Sequence, residues 1–258
     1  MKELSLKEIQ DRLLEIMADV DAFCRKEGLR YSIAFGTLLG AVRHGGFIPW
    51  DDDIDIIMPR PDFDRFVALY PKDGRFRCLY RTKDFYAGYA KVNDPTTLAK
   101  DHKTRFHFGV NLDIFPLDAV PEDADQQYRF MHRLIHLHRR LYMRNKRFPY
   151  GSLFMLLETR FHSLDAWWKK CDDFIHTVDY GSTPLIAHML GSSTYESVHR
   201  KDLFDTLTDI SFAGLNVLAF KDTHAYLTQV FGADYMTPPP ENKRQGHGNK
   251  IFSLSQSC

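Results

Sequence analysis

Apolar residues recur along the first part of the chain at Leu6, Ile9, Leu13, Ile16, Met17, Val20 and Phe23. That spacing, near 3.6, predicts a one-sided amphipathic helix over 5–27, stopped by Gly28. Tyr31 to Ala34 reads as a short strand, Gly36-Thr37 as a turn and Leu38 to Arg43 as a brief helix broken by Gly45-Gly46 and Pro49. The run Asp53-Ile54-Asp55-Ile56-Ile57-Met58 alternates polar and apolar residues, as a strand with one wet face does, and Pro59 and Pro61 end it. A helix over 62–70 and strands over 76–81, 88–92 and 108–115 follow. The first half is therefore mixed α and β. From Glu122 to Val178 the pattern turns helical, interrupted at Pro149-Tyr150-Gly151. Two further strands, 208–212 and 215–220, join at Ala213-Gly214 as a hairpin, and Asp222 caps a last helix over 223–231 closed by Gly232. The tail after Thr237 reads as irregular. The predicted organisation is a mixed core over 1–120, a helical region over 121–200 and a C-terminal hairpin, helix and basic tail over 201–258 that complete the core or the site.

Across its 258 residues, 34 Lys and Arg balance 34 Asp and Glu. A neutral total argues against duplex nucleic acid as a partner, because phosphate-driven affinity needs a basic surplus. Apolar residues make up 44%, enough for a buried core, and this excludes disorder as the dominant state. The first residues, rich in charge, lack the apolar stretch of a signal peptide, and no apolar run reaches the roughly 18 to 20 residues of a spanning helix. Cys24, Cys78, Cys171 and Cys258 form no C-x-x-C pair, which suits a reduced, cytoplasmic protein better than a disulfide frame or a zinc site.

Neutrality conceals local extremes. Asp51-Asp52-Asp53-Ile54-Asp55 sets four carboxylates in five positions, a repulsive cluster that calls for a cation or strong donors. A strand beginning near Asp53 puts Asp53 and Asp55 on one face, where two hard oxygen ligands suit Mg²⁺, with Mn²⁺ as a substitute. Asp113, the acidic residue within the strand predicted over 108–115, is the candidate third carboxylate. Gly36 and Thr37 lie between strand and helix, where backbone N–H groups and a hydroxyl can meet a phosphate. Arg43 and His44 precede the acidic run. With Lys91 and the tail residues Lys243, Arg244 and His247, they are the candidate cations for non-bridging phosphate oxygens. Trp50 is a candidate wall of the site. Between Arg129 and Arg147 lie seven Arg or Lys and three His with no acid, a basic helix suited to a solvated face, to anionic groups of a donor or glycan, or to peripheral contact at the inner membrane face.

The run from Gly36 to Asp55, Gly-Thr-Leu-Leu-Gly-Ala-Val-Arg-His-Gly-Gly-Phe-Ile-Pro-Trp-Asp-Asp-Asp-Ile-Asp, resembles the LicD/fukutin-related family of phosphotransferases. The resemblance continues through Asp113-Ile114-Phe115-Pro116-Leu117-Asp118 and from Tyr235 to Arg244. It implies an α+β fold with a nucleotidyltransferase-like mixed sheet, flanking helices and a helical insertion. It also implies transfer of a phospho-alcohol, most often phosphocholine from CDP-choline, onto a hydroxyl of a cell-surface glycan or its precursor, which can be lipid-linked. Asp53, Asp55 and Asp113 would hold one or two Mg²⁺ ions and carry the catalysis. Two alternatives remain: a nucleotidyltransferase acting on a sugar or small molecule, and a non-catalytic nucleotide- or sugar-binding protein. Aromatic residues are abundant enough for a choline cage, yet their spacing does not select one.

Overall fold

The structure, a computed structural model, describes residues 1–82, 85, 87–100, 107–145, 161, 163–188, 197–244, 246 and 250–254. Among these are strands β1 (Lys2–Glu3), β2 (Ser32–Ile33), β3 (Asp55–Pro59), β4 (Arg77–Leu79), β5 (Ala90–Asn93) and β6 (Thr97–Ala99). They continue with β7 (Asn111–Ala119), β8 (Leu185–His188), β9 (Ser197–Arg200), β10 (Leu207–Phe212), β11 (Leu215–Phe220) and β12 (Ile251–Ser253). The helices are α1 (Leu6–Glu27), α2 (Phe35–His44), α3 (Arg60–Leu69), α4 (Ala124–Asn145), α5 (Leu164–Ile175) and α6 (Thr223–Phe231). The fold is α+β, built on one mixed sheet.

That sheet runs β2-β3-β7-β5-β4. Only β3 and β7 are parallel; β2 lies antiparallel to β3, and β5 antiparallel to β7. β7 is long enough to serve two partners. Its first half pairs with β5, while Asp118 and Ala119 pair with β8, which pairs in turn with β9. A small second sheet, β1-β12-β6, joins residues near both ends of the chain.

The helix over 6–27 forms as its periodicity predicts. Ser5 accepts from the Glu8 backbone while the Glu8 side chain accepts from the Ser5 backbone, and Gly28 ends the helix at φ 64°. Ile9, Leu13, Ile16, Met17, Val20 and Cys24 are buried against β7, β5 and β11. At about 1.5–3 kcal/mol for each large apolar side chain, this burial outweighs the capping contribution of about 1 kcal/mol. The 213–214 turn has φ of 49° at Ala213 and 90° at Gly214, the left-handed pair that a tight hairpin needs.

Several expectations are revised. Gly36 and Thr37 lie inside the first turn of α2, not in a turn before it. The acidic strand starts at Asp55, so Asp53 precedes it rather than sharing its pleat. The strand expected over 108–115 begins at Asn111 and extends to Ala119, which adds a second acid, Asp118, to Asp113. Within the region over 121–200, residues 185–188 and 197–200 form β8 and β9, which join the main sheet. The tail is not wholly irregular, since residues 251–253 form β12 between β1 and β6. The interruption at 149–151 and Cys258 lie outside the described residues.

Asp118 meets Arg60 in a buried two-point ion pair, Nε to Oδ1 at 2.5 Å and Nη2 to Oδ2 at 2.9 Å. The pair bolts α3 to the far end of the strand that carries Asp113.

Candidate active site

The geometry of the acidic run begins with glycines. Gly45 takes φ 70° to end α2, and a Cβ on Gly40 would overlap the Gly46 carbonyl oxygen. Gly46 in turn lies against Ala213, whose N–H donates to the Gly45 carbonyl at 2.8 Å. The close packing lets the chain double back from α2 toward β3. On the way, the Gln10 amide donates to the Asp51 carbonyl at 2.9 Å, tying the acidic loop to α1.

Thr37 is buried, and its hydroxyl accepts the Asp55 backbone N–H at 2.9 Å. The Asp55 carbonyl accepts from Ala34 at 3.0 Å. Thr37 thus anchors the first residue of β3. Gly36 is the neighbour of Asp51, whose carboxylate would stand 3.0 Å from a Cβ there.

Across the parallel pair, Asp55 stands opposite Asp113. This register brings together carboxylates 58 positions apart in sequence. Burial is the largest influence on both; it drives Asp55 well above the ordinary carboxylate range and raises Asp113, and Asp53 adds repulsion to each. Lys91 opposes that push. It sits across from Asp113 on β5, is 6% exposed, and places Nζ 2.5 Å from Asp113 Oδ1. The ammonium also lies 4.7 Å from the Phe108 ring centroid, 5.3 Å from Tyr89 and 5.4 Å from Phe85. These faces stabilise a cation where water is scarce. Asn111, two residues before Asp113 and so on the same face, donates to the same Oδ1 at 2.6 Å.

A cavity of about 190 Å³ opens here, bounded by Asp52, Asp53, Asp113, Lys91 and Asn111, with Gly109 and Ile251 of β12 among the rest of its wall. Of the candidate residues, Asp53, Asp113 and Lys91 line it. Asn111, Gly109, Phe108 and Ile251 were not anticipated. Asn111 had a signal, because the Asn-Leu-Asp spacing puts it beside Asp113; Ile251 had none, because a three-residue strand carries no period.

The remaining candidates gather elsewhere. Arg43 donates through Nε to His44 Nε2 and through Nη1 to the Tyr235 carbonyl, both at 3.0 Å. Burial and Arg43 hold His44 below its ordinary range, which leaves the imidazole neutral and able to accept that bond. Arg244 lies 5.4 Å from the Trp50 ring and donates to the Pro239 carbonyl at 2.9 Å. Its charge adds to burial in lowering Arg43. Lys243 is exposed at the end of the short turn 241–243. Gly246 tucks against Trp50 and Asp52, so the basic tail passes beside the acidic loop. His247 lies outside the described residues.

The hard oxygens of Asp53, Asp55 and Asp113 are the donor type for Mg²⁺. The donor chemistry fits a divalent cation. Among the described residues, however, no three His, Cys, Asp or Glu side chains are already drawn together closely enough to ligate one.

Residues 28–168 match the family model described as LicD/FKTN/FKRP, nucleotidyltransferase domain. The chain belongs to the LicD family. It is 32% identical to the lipopolysaccharide cholinephosphotransferase LicD of Haemophilus influenzae, over 96% of this chain and 97% of that one. It is also similar to two uncharacterised Rickettsia proteins over 60 residues, or 23% of this chain. That of Rickettsia typhi is 43% identical over 19% of its own length, and that of Rickettsia prowazekii 52% over 23%. The LicD match covers β3, β5 and β7, which carry Asp55, Lys91 and Asp113. Among the described residues, no helix is long and apolar enough to cross a membrane.

Proposed function

We propose that the protein is a LicD-type transferase that moves phosphocholine, or a related phospho-alcohol, from a CDP-linked donor onto a hydroxyl of a glycan. The relative named as a lipopolysaccharide cholinephosphotransferase supports that substrate class, and full-length similarity supports its transfer to this chain. The observation that carries the reading is the Asp55–Asp113 register with Lys91 bonded to Asp113.

In the reaction, the acceptor oxygen bonds to the phosphorus bearing the alcohol, and the bond from that phosphorus to CMP breaks. CMP departs with the electron pair. The hydroxyl proton passes to a carboxylate, and Asp113 is suited to take it at Oδ2, because Lys91 and Asn111 both donate to Oδ1. Lys91 lies on the same cavity wall, where its ammonium can face the non-bridging phosphate oxygens. Asp53, Asp55 and Asp113 are the residues that would hold Mg²⁺, which when bound supplies charge neutralisation at the phosphates and a more acidic acceptor hydroxyl. Arg43 and Arg244 contribute positive potential on the tail side.

The test is incubation with Mg²⁺ and a panel of CDP-alcohols, with and without candidate glycans, following CMP and phosphorylated product. Asp55→Asn and Asp113→Asn should each abolish CMP release while circular dichroism stays that of the parent. Pyrophosphate release, or nucleotide attached to the acceptor, would instead indicate attack at the other phosphorus.

A further inference from the structure

Residues 129–145 of the basic helix expected over 129–147 lie in α4, Lys146 and Arg147 lie outside the described residues, and the charges of α4 are not spread evenly. Phe130, Met131, Leu134, His138 and Leu141 face the interior. A second stripe, Arg133, His136, Leu137 and Arg140, follows the same helical period and lines a cavity of about 580 Å³ against α5. The opposing wall comes from α5 and the turn after it, through Trp167, Lys170, Asp173, Phe174 and Thr177.

Aromatic faces hold the cations in this groove. Arg133 lies 5.3 Å from the Phe174 ring, and Trp167 is flanked by Arg140 at 5.8 Å and Lys170 at 4.4 Å. Among the described residues, neither Arg133 nor Lys170 meets a carboxylate in an ion pair. The groove's acid, Asp173, is bonded through both oxygens to Lys169 at 2.7 and 2.8 Å. A guanidinium fixed over a ring keeps its N–H edges directed outward, the arrangement that receives a tetrahedral oxyanion at two points. The charge left over, at Arg133 and Lys170 on the two walls of one cavity, matches a doubly charged phosphomonoester or pyrophosphate better than a single carboxylate.

The groove shares no lining residue with the cavity at Asp113. It is also concave, which suits a single projecting phosphate group. We propose that the α4–α5 groove binds a phosphate substituent on the saccharide acceptor, separately from the phosphate that reacts. The assignment to the acceptor rests on the transferase reading; the anion site itself does not.

Isothermal titration of inorganic pyrophosphate into the full-length Lys91→Met variant, which weakens the Asp113 cavity as a competing site, tests the groove. Arg133 and Lys170 are exposed, so serine at either position leaves the helices packed. Each single substitution should weaken pyrophosphate binding about tenfold, and the pair about a hundredfold, with affinity falling as salt rises. Arg139, exposed on the same helix but outside the groove, supplies the control, and Arg139→Ser should stay within about twofold. Equal losses at Arg139 and Arg133, or no loss in the double variant, overturn the site. Vesicles of phosphatidylcholine with phosphatidylglycerol form the second arm: if the double variant loses vesicle binding but keeps pyrophosphate affinity, the groove reads a membrane and the proposal fails. If pyrophosphate binding behaves as expected while no CDP-alcohol yields CMP, the assignment to an acceptor is overturned together with the transferase reading.

Discussion

The Arg60–Asp118 pair allows a prediction in which the two halves of one interaction behave differently. Both side chains are nearly sealed, at 9% and 2% exposure. Arg60 also touches Asp64, an exposed acid 3.3 Å away, and lies 5.0 Å from the Phe63 ring. Asp118→Asn preserves shape but strands a buried guanidinium, which stays charged at any accessible pH because its proton is held even more tightly than usual. The expected cost is about 3–5 kcal/mol. Arg60→Met strands a carboxylate instead, and a carboxylate can escape by taking a proton. That escape costs about 1.4 kcal/mol for each pH unit above the ordinary range near 3.9, so the penalty is capped at about 4 kcal/mol at pH 7 and about 1.5 kcal/mol at pH 5. A folded state that binds the proton more readily than the unfolded chain gains stability as pH falls. Urea denaturation at the two pH values, each variant measured against the parent, should therefore show the Arg60→Met penalty shrinking by about 2–3 kcal/mol and the Asp118→Asn penalty unchanged. Arg60→Met/Asp118→Leu should recover most of the loss, because it leaves neither charge buried. Equal pH responses in the two single variants, or a double variant no better than Asp118→Asn, would refute the reasoning.

Other outcomes follow from single contacts. Thr37→Val removes the acceptor of the Asp55 N–H and should cost about 1–3 kcal/mol in urea denaturation, with Thr37→Ser close to the parent. His188 is 3% exposed, its ring nitrogens have no hydrogen-bond partner among the described residues, and burial pushes it down to about 4. Stability should thus be level above pH 6.5 and fall by up to about 3 kcal/mol as pH drops toward 4, because the unfolded chain takes the proton first. His188→Phe should remove most of that slope. A Cβ at Gly246 would overlap the Trp50 carbonyl, so Gly246→Ala should raise the donor KM several-fold while thermal unfolding shifts by no more than about 1 kcal/mol.

The features legible in the sequence were those with a period or a local chemical signature. α1 carries an apolar stripe and a terminating glycine, α6 carries a cap, and the 213–214 turn carries the residues a tight hairpin needs. Asp113 stood out as a charge in an apolar strand. What escaped depended on partners distant in sequence. The start of β3 at Asp55 is set by the Thr37 hydroxyl and by pairing with β7, neither visible in local alternation. β1, β6 and β12, at two or three residues each, are too short to show any period and exist because they find one another. Lys91 is legible as a candidate phosphate ligand, but its bond to Asp113 and its surrounding rings follow from the pairing of β5 with β7. Ahead of the acidic run, Gly40 and Gly46 serve close packing.

The β1-β12-β6 sheet also orders events in time. Lys2 pairs with Ser253, so a strand made among the first residues waits on the ribosome for one made some 250 positions later. Ile251 of that late strand forms part of the wall beside Asp53 and Asp113. A nascent chain would therefore hold its carboxylates before it had the wall that closes around them. A nonsense codon before residue 251 should yield a chain that folds in its core but lacks turnover.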